Sequence, residues 1–389
     1  MNHRIYADNA ATSFPKPPEV LAAMSDYAQR LGASAGRGAY REAVAAGELL
    51  ATCRARVARL IGAPDPRQII FGLNCSEALN LALRGLLRPG DHVVTSRFEH
   101  NSVLRPLHSL AADGVTTSFV PVADPSGRVS VDALRAALRP ATRLIALQHA
   151  SNVTGVIQPV EEAAALARER DIPILVDAAQ TAGHLPLDVT RMGIDLLAFP
   201  GHKGLLGPLG TGALYIRAGL AERIRPLVCG GTGTVSELPT QPDQLPDKYE
   251  SGSHNAIGLA GLSAAAEWLL ARGVDSLRRS EIDHMERFLA GVSGLAGLSL
   301  YGPRDPRQRV AVFSVRVADL APAETVAILE AEFGVLARAG IHCAPWAHES
   351  LGTAADGGTT RLSFGPFTTA ADIDACVAAL AAVAAPANA

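Results

Sequence analysis

Between residues 68 and 216 the chain alternates short apolar runs rich in β-branched residues with longer stretches of Ala, Leu and Arg at helical spacing. The runs at 68–71, 92–96, 116–120, 144–148, 172–177 and 196–199 are too short for helices and apolar on both faces, which predicts buried strands. Strands of that kind separated by helices form a mostly parallel sheet covered on both sides, an α/β architecture. Ligands of such sheets bind beyond the carboxyl ends of the strands.

The pattern changes at 229–249, where Gly230, Gly231, Pro239, Pro242 and Pro246 interrupt any periodicity and mark a long connection. Beyond it, helices are predicted at 257–272, 276–292, 323–333 and 370–384, and strands at 309–317 and 359–363, which suits a smaller α+β unit. The expected division is an N-terminal segment, 1–20, packing with the small unit, a large unit at 21–249 and a small C-terminal unit at 250–389, with a frayed tail at 385–389.

With 389 residues, 48% of them hydrophobic, the chain can bury a large core. A net charge of −3, with basic residues scattered along the sequence, excludes the electrostatic footprint of a nucleic-acid or anionic-membrane binder and leaves a small molecule or a protein as partner. The first residues lack the apolar stretch of a secretory signal, and no run is long enough to span a bilayer, so a cytoplasmic location is expected. Five cysteines, odd in number and without Cys-x-x-Cys pairs, match neither a disulfide framework nor a zinc site, and no metal is expected.

Chemistry concentrates at the predicted strand ends. Asp177 closes one apolar run and Lys203 follows the next, in Phe199-Pro200-Gly201-His202-Lys203-Gly204. Alone, each is an ordinary turn residue. Together they supply what pyridoxal 5′-phosphate (PLP) needs: an amine to hold its aldehyde as a Schiff base and an acid to keep its ring nitrogen protonated. Asn74-Cys75-Ser76-Glu77 opens an amphipathic helix after a strand, where amides and the Ser76 hydroxyl can hold a phosphate, although Ser76 also reads as a plain N-cap. His100, after another strand, can stack on a flat ring or exchange protons, and Asn152, in a turn, can donate to a phenolate oxygen.

In order and spacing these segments resemble the class V aminotransferase-like PLP enzymes, specifically the cysteine desulfurase and selenocysteine lyase family. The resemblance runs from Tyr6-Ala7-Asp8-Asn9-Ala10-Ala11-Thr12 through Gly36-Arg37-Gly38, Cys75-Ser76-Glu77-Ala78, Glu99-His100-Asn101, Ser151-Asn152-Val153-Thr154-Gly155, Asp177-Ala178-Ala179-Gln180 and Gly201-His202-Lys203. It continues in Glu250-Ser251-Gly252-Ser253, Arg338-Ala339-Gly340-Ile341-His342-Cys343-Ala344-Pro345 and Thr360-Arg361-Leu362-Ser363. It implies PLP-dependent transferase fold type I, with a mostly parallel seven-stranded sheet, and a homodimer.

The same resemblance implies roles. Lys203 would carry the cofactor and move protons at the substrate Cα, Asp177 would pair with the pyridinium nitrogen, and His100 would stack on the ring. Gln180 and Asn152 would bond the ring oxygen or orient the substrate. Cys75, Ser76 and His202 would hold the phosphate, with Ser253 reaching in from a second subunit. Arg361 would grip the substrate carboxylate, with Asn9 and Arg37 bordering the substrate. Cys343 would be the nucleophile that takes sulfur from L-cysteine, or selenium from L-selenocysteine, leaving L-alanine and a persulfide for an acceptor protein.

Lowering of the thiol pKa by His342, His348 or the cofactor's surroundings would help that step. Pro200, Tyr40 and Cys75 depart from residues common in relatives, and the short stretch 343–361 predicts a tight loop that exposes the persulfide poorly. The competing readings are a selenocysteine lyase, another class V aminotransferase, lyase or epimerase, and a non-catalytic sulfur-relay or scaffold subunit.

Overall fold

The computed structural model describes residues 4–35, 38–122 and 126–385. Its strands, in chain order, are β1 (Ile5–Tyr6), β2 (Ile69–Gly72), β3 (His92–Ser96), β4 (Thr116–Val120), β5 (Thr142–Gln148), β6 (Ile174–Asp177), β7 (Leu196–Pro200), β8 (Gly212–Ile216), β9 (Leu298–Tyr301), β10 (Val312–Val317), β11 (Val335–Leu336), β12 (Arg338–Gly340) and β13 (Thr359–Ser363). Strands β2 to β8 form one seven-stranded sheet in the order β2-β8-β7-β6-β5-β3-β4. It is parallel except for β8, which runs antiparallel to both neighbours.

The central strands are buried along their whole length, which is why their sequences lack polar alternation. Six of the seven coincide with the predicted runs to within two residues. The seventh, β8, escapes the pattern because it returns from β7 through a glycine-rich loop with no helix between, so the strand–helix rhythm that exposes the others is missing. The sheet's two faces are covered by two separate apolar clusters, as helices on both sides require.

The small unit is built on an antiparallel sheet, β12-β13-β10-β9, with Phe288, Phe313 and Phe364 at its centre. Two expectations need correction. Helix Ala256–Arg272, assigned to the small unit by a boundary at residue 250, buries Leu259, Leu262, Ala265, Ala266 and Leu269 in the large unit's cluster. Its sequence is apolar all round, so periodicity could not say which core it joins. The basic residues, scattered in sequence, are not scattered in space: Arg135, Arg139, Arg143, Arg170 and Arg223 line one cleft near the amino ends of β5 and β6.

The N-terminal segment belongs to both units. Strand β1 pairs with β11, and Ile5 and Ala7 enter the small core, while residues 12–16 lie on the turn that carries Lys203. Residues 386–389 of the expected frayed tail lie outside the described residues.

Candidate active site

Sheet order gathers the candidate residues. Adjacent strands β7, β6, β5 and β3 end at Pro200, Asp177, Gln148 and Ser96, so Lys203, Asp177, Asn152 and His100 come from four consecutive strand ends. They border one cavity, together with Cys75, Ser76, Gln180 and His202.

The Lys203 turn is fixed from both sides. A side-chain carbon at Gly201 would lie 2.1 Å from Thr211 Oγ1, and one at Gly204 would lie 2.4 Å from the Ala182 carbonyl, so both approaches need glycine. From the N-terminus, Ser13 N–H (3.0 Å), Thr12 Oγ1 (3.1 Å) and Lys16 Nζ (2.8 Å) donate to the His202 carbonyl, and Ser13 Oγ donates to that of Lys203 at 2.9 Å. Sequence reasoning missed Ser13 and Lys16, because their partners lie almost 190 residues away and neither carries a local signal. Burial lowers the Lys16 amine to about 8 and also lowers that of Lys203, where Asp177 partly counteracts it.

Asp177 is buried and makes no ion pair among the described residues. Its Oδ1 accepts from Ala179 N–H at 2.9 Å and lies 3.5 Å from the Cys75 thiol. Burial raises its pKa, against the Ala179 bond and the Lys203 charge. Cys75, expected at a phosphate, thus points its side chain at Asp177, and burial and that carboxylate push its thiol well up.

The first turn of helix Cys75–Leu86 is capped by Asn74, whose Oδ1 accepts from Glu77 N–H at 3.0 Å. That leaves the amides of Cys75 and Ser76 directed at an anion. Ser76 is not the N-cap: its hydroxyl lies 2.6 Å from that of Ser102, which in turn lies 2.9 Å from His100 Nδ1. Ser102 N–H also donates to Nδ1 at 3.0 Å, and burial lowers the His100 imidazole to about 4, so the ring is held neutral and fixed in orientation. Burial likewise lowers His202 to about 4, and its buried Nδ1 has no partner among the described residues.

Arg361, 2% exposed, lies on β13, and its Nη2 pairs with Asp8 at 2.6 Å while Nη1 donates to the Asn152 carbonyl at 3.2 Å. Its Nε and the Asn152 Oδ1 are buried without partners among the described residues. Gln180 donates to the Ala10 carbonyl at 3.1 Å.

Asn9, Ser253, Arg361 and Cys343 do not line that cavity. Asn9 spends its amide on the Tyr6 and Ser363 carbonyls and the Phe14 amide. Ser253 is exposed in a separate cleft with Leu73, Leu227 and Val228. Arg37 lies outside the described residues.

Cys343 is exposed, contrary to the expectation of a poorly exposed thiol. Its backbone, not its sulfur, is held inward: His342 (φ 49°) and Cys343 (φ 59°) form a left-handed pair whose carbonyls accept from Asn152 Nδ2 at 2.5 Å and Asn101 N–H at 2.8 Å. The expected assistance from His342 and His348 is also overturned. Both rings are buried, and burial lowers them to about 2 and about 4, so neither supplies a positive charge to the thiol.

The family model of class V aminotransferases matches residues 5–376. A probable cysteine desulfurase of Methanothermobacter thermautotrophicus is 35% identical over 377 residues, 96% of this chain and 93% of that protein. The cysteine desulfurase CsdA of Escherichia coli is 33% identical over 97% of this chain and 93% of its own length. The apo structure of a cysteine desulfurase from Thermococcus onnurineus NA1 superposes with a TM-score of 0.91 at 33% identity, covering 98% of this chain and 95% of that one. The fold is that of PLP-dependent transferases of type I, and the chain belongs to the class V aminotransferase family, among the cysteine desulfurases.

Proposed function

We propose that this chain is a PLP-dependent cysteine desulfurase that converts L-cysteine and the Cys343 thiol into L-alanine and a Cys343 persulfide. The observation that carries the reading is an exposed thiol on a left-handed turn tied by its backbone to Asn152 and to the residue after His100, beside the cavity of Lys203.

The residues present fit the cofactor. A buried carboxylate without an ion pair at Asp177, a partnerless buried ring nitrogen on His202 and two amides at a helix start suit a ring cation and a phosphate. Lys203 would hold it covalently, Asp177 would pair with its ring nitrogen, and His100 would lie against the ring. Asn152 and Gln180 would reach its oxygen, and Cys75 N–H, Ser76 and His202 would take the phosphate. When bound, PLP supplies an electron sink that labilises bonds at the substrate Cα.

The chain's own groups do the rest. Arg361 binds the substrate carboxylate through its free Nε edge. Lys203, whose amine pKa is lowered by burial, takes and returns a proton at Cα. The Cys343 thiolate bonds to the substrate Sγ as the Cβ–Sγ bond breaks with its electron pair left on the carbon side, and protonation at Cβ and Cα completes L-alanine. No oxidant enters, because the electron pair of the broken Cβ–Sγ bond stays with carbon and reduces it to the methyl group of L-alanine while the two sulfurs reach the persulfide level.

Ser253, far from its own chain's cavity, fits a homodimer in which it serves the partner's phosphate site, and the exposed thiol fits delivery to an acceptor protein. Mass spectrometry of the holoenzyme after incubation with L-cysteine tests the reading: the Cys343 peptide gains one sulfur and Cys343→Ser abolishes both the gain and sulfide release. Undiminished turnover by Cys343→Ser would sink it in favour of a lyase that needs no thiol.

A further inference from the structure

Behind the thiol, outside the cavity, lie two buried imidazoles, His342 and His348, whose ring centroids are 5.5 Å apart. His342 Nε2 lies 3.0 Å from the Thr359 carbonyl, which can only accept, so Nε2 carries the proton and Nδ1 is a bare lone pair. His348 Nδ1 lies 2.8 Å from the Thr353 hydroxyl, whose other acceptor, the His348 carbonyl, is farther at 3.4 Å. The hydroxyl proton therefore goes to Nδ1, and the His348 proton sits on Nε2.

Neither His342 Nδ1 nor His348 Nε2 has a partner among the described residues, and both atoms are buried. One ring thus holds an unmet acceptor and its neighbour an unmet donor. A buried polar group left without a partner is costly, so pairing the two is favoured. A direct N–H···N bond of about 3 Å between imidazoles places ring centres about 5 Å apart, close to the separation of these two rings.

We propose that His348 is a positioning residue for the sulfur-accepting thiol, acting through a His348 Nε2–H to His342 Nδ1 hydrogen bond that holds the left-handed His342-Cys343 turn. The proposal rests on Cys343 being the nucleophile. The bond joins a continuous chain: Thr353 to His348, His348 to His342, His342 to Thr359, Thr359 Oγ1 to Ser314 Oγ at 2.9 Å, and Ser314 Oγ to the Val153 carbonyl at 2.7 Å. That chain ends beside Asn152, and Thr359 is two residues from Arg361 on β13, so the thiol, the carboxylate grip and Asn152 share one frame. Left-handed conformation is unfavourable in a non-glycine residue, and two in succession persist only where such a frame enforces them.

The test is made on holoenzyme. His348→Phe keeps an aromatic ring and removes the donor, His348→Gln returns an N–H at the Nε2 position, and Thr353→Val removes the hydroxyl that fixes the tautomer. The readouts are the alkylation rate of Cys343 and the single-turnover rate of persulfide formation, alongside cofactor absorbance and the apparent affinity for L-cysteine. His348→Phe should change alkylation at least about fivefold and slow persulfide formation about tenfold, with absorbance and L-cysteine affinity unchanged, and His348→Gln should recover most of both losses.

Thr353→Val should shift both rates in the same direction and carries the test if the Phe variant does not fold. Rates within twofold of the native enzyme, no recovery by Gln, or a loss that tracks cofactor binding would overturn the proposal. If Cys343→Ser still turns over, the nucleophile reading fails, yet the alkylation rate still reports whether His348 positions the turn.

Discussion

Arg361→Lys separates charge from geometry at the carboxylate grip. The guanidinium is 2% exposed and already engaged by Asp8 and the Asn152 carbonyl, which leaves Nε as its unmet buried donor. A lysine keeps one positive charge near Asp8 but cannot present a planar fork, so it gives up at least one charge-assisted hydrogen bond to the substrate. Such a bond is worth about 1.5–3 kcal/mol, which predicts a rise in KM for L-cysteine of about tenfold to 150-fold. Because the lost contact is present before and during reaction, kcat should change less than about threefold. The control is cysteamine, which keeps the thiol and amine and lacks the carboxylate. Its kcat/KM should move little, so the preference for L-cysteine collapses by nearly the same factor as KM rises. An unchanged L-cysteine-to-cysteamine preference in Arg361→Lys would refute the assignment and leave Arg361 as Asp8's structural partner.

Buried charge sets two further outcomes. Arg54 meets Glu250 through two bonds of 2.6 and 2.7 Å, and the Glu250 side chain, 3% exposed, also accepts from Phe71 N–H at 2.6 Å and His254 at 2.7 Å. Arg54→Met strands that carboxylate and should cost about 3–5 kcal/mol in urea unfolding, and a loss under 1 kcal/mol would contradict the pairing. His149 and His348 are buried and held neutral, with burial lowering each to about 4 from the usual 6.5. At these two sites the unfolded chain therefore takes up more protons below pH 6.5, so their contribution to stability is flat above that pH and falls toward pH 4, by on the order of 3 kcal/mol per histidine. Urea midpoints measured between pH 4 and 8 should show this slope, and His149→Gln should flatten it. A slope unchanged by that substitution would remove His149 from the account.

How far the sequence could be read depends on where each determinant lies. Strands β3, β4 and β13 match the expected 92–96, 116–120 and 359–363 because each is a short run rich in β-branched residues. Lys203, Asp177, Asn152 and His100 were legible for the same reason, since a strand's end marks the position of the residue just beyond it. Strand β9 is only half-buried, and β1, β11 and β12 have two or three residues, too few for any period to show. Contacts such as Asp8 with Arg361, 353 residues apart, have no local signature. The thiolate-lowering role expected of His342 and His348 failed because a sequence shows that imidazoles are near a cysteine but not that burial strips them of charge.

The exposure of Cys343 shows why a short loop need not hide its sulfur. Helix Pro345–Ser350 begins two residues after the thiol and buries Ala347 and His348, so this helix, rather than Cys343 itself, supplies the loop's packing. The carbonyls of Cys343 and His342 point to the large unit, at Asn101 and Asn152, while the His342 ring is anchored to β13 of the small unit. With backbone and neighbouring ring both committed inward, Cys343 is left exposed, within a frame that also holds Arg361 on β13. A sulfur on Cys343 is therefore exposed in this chain without any loop opening.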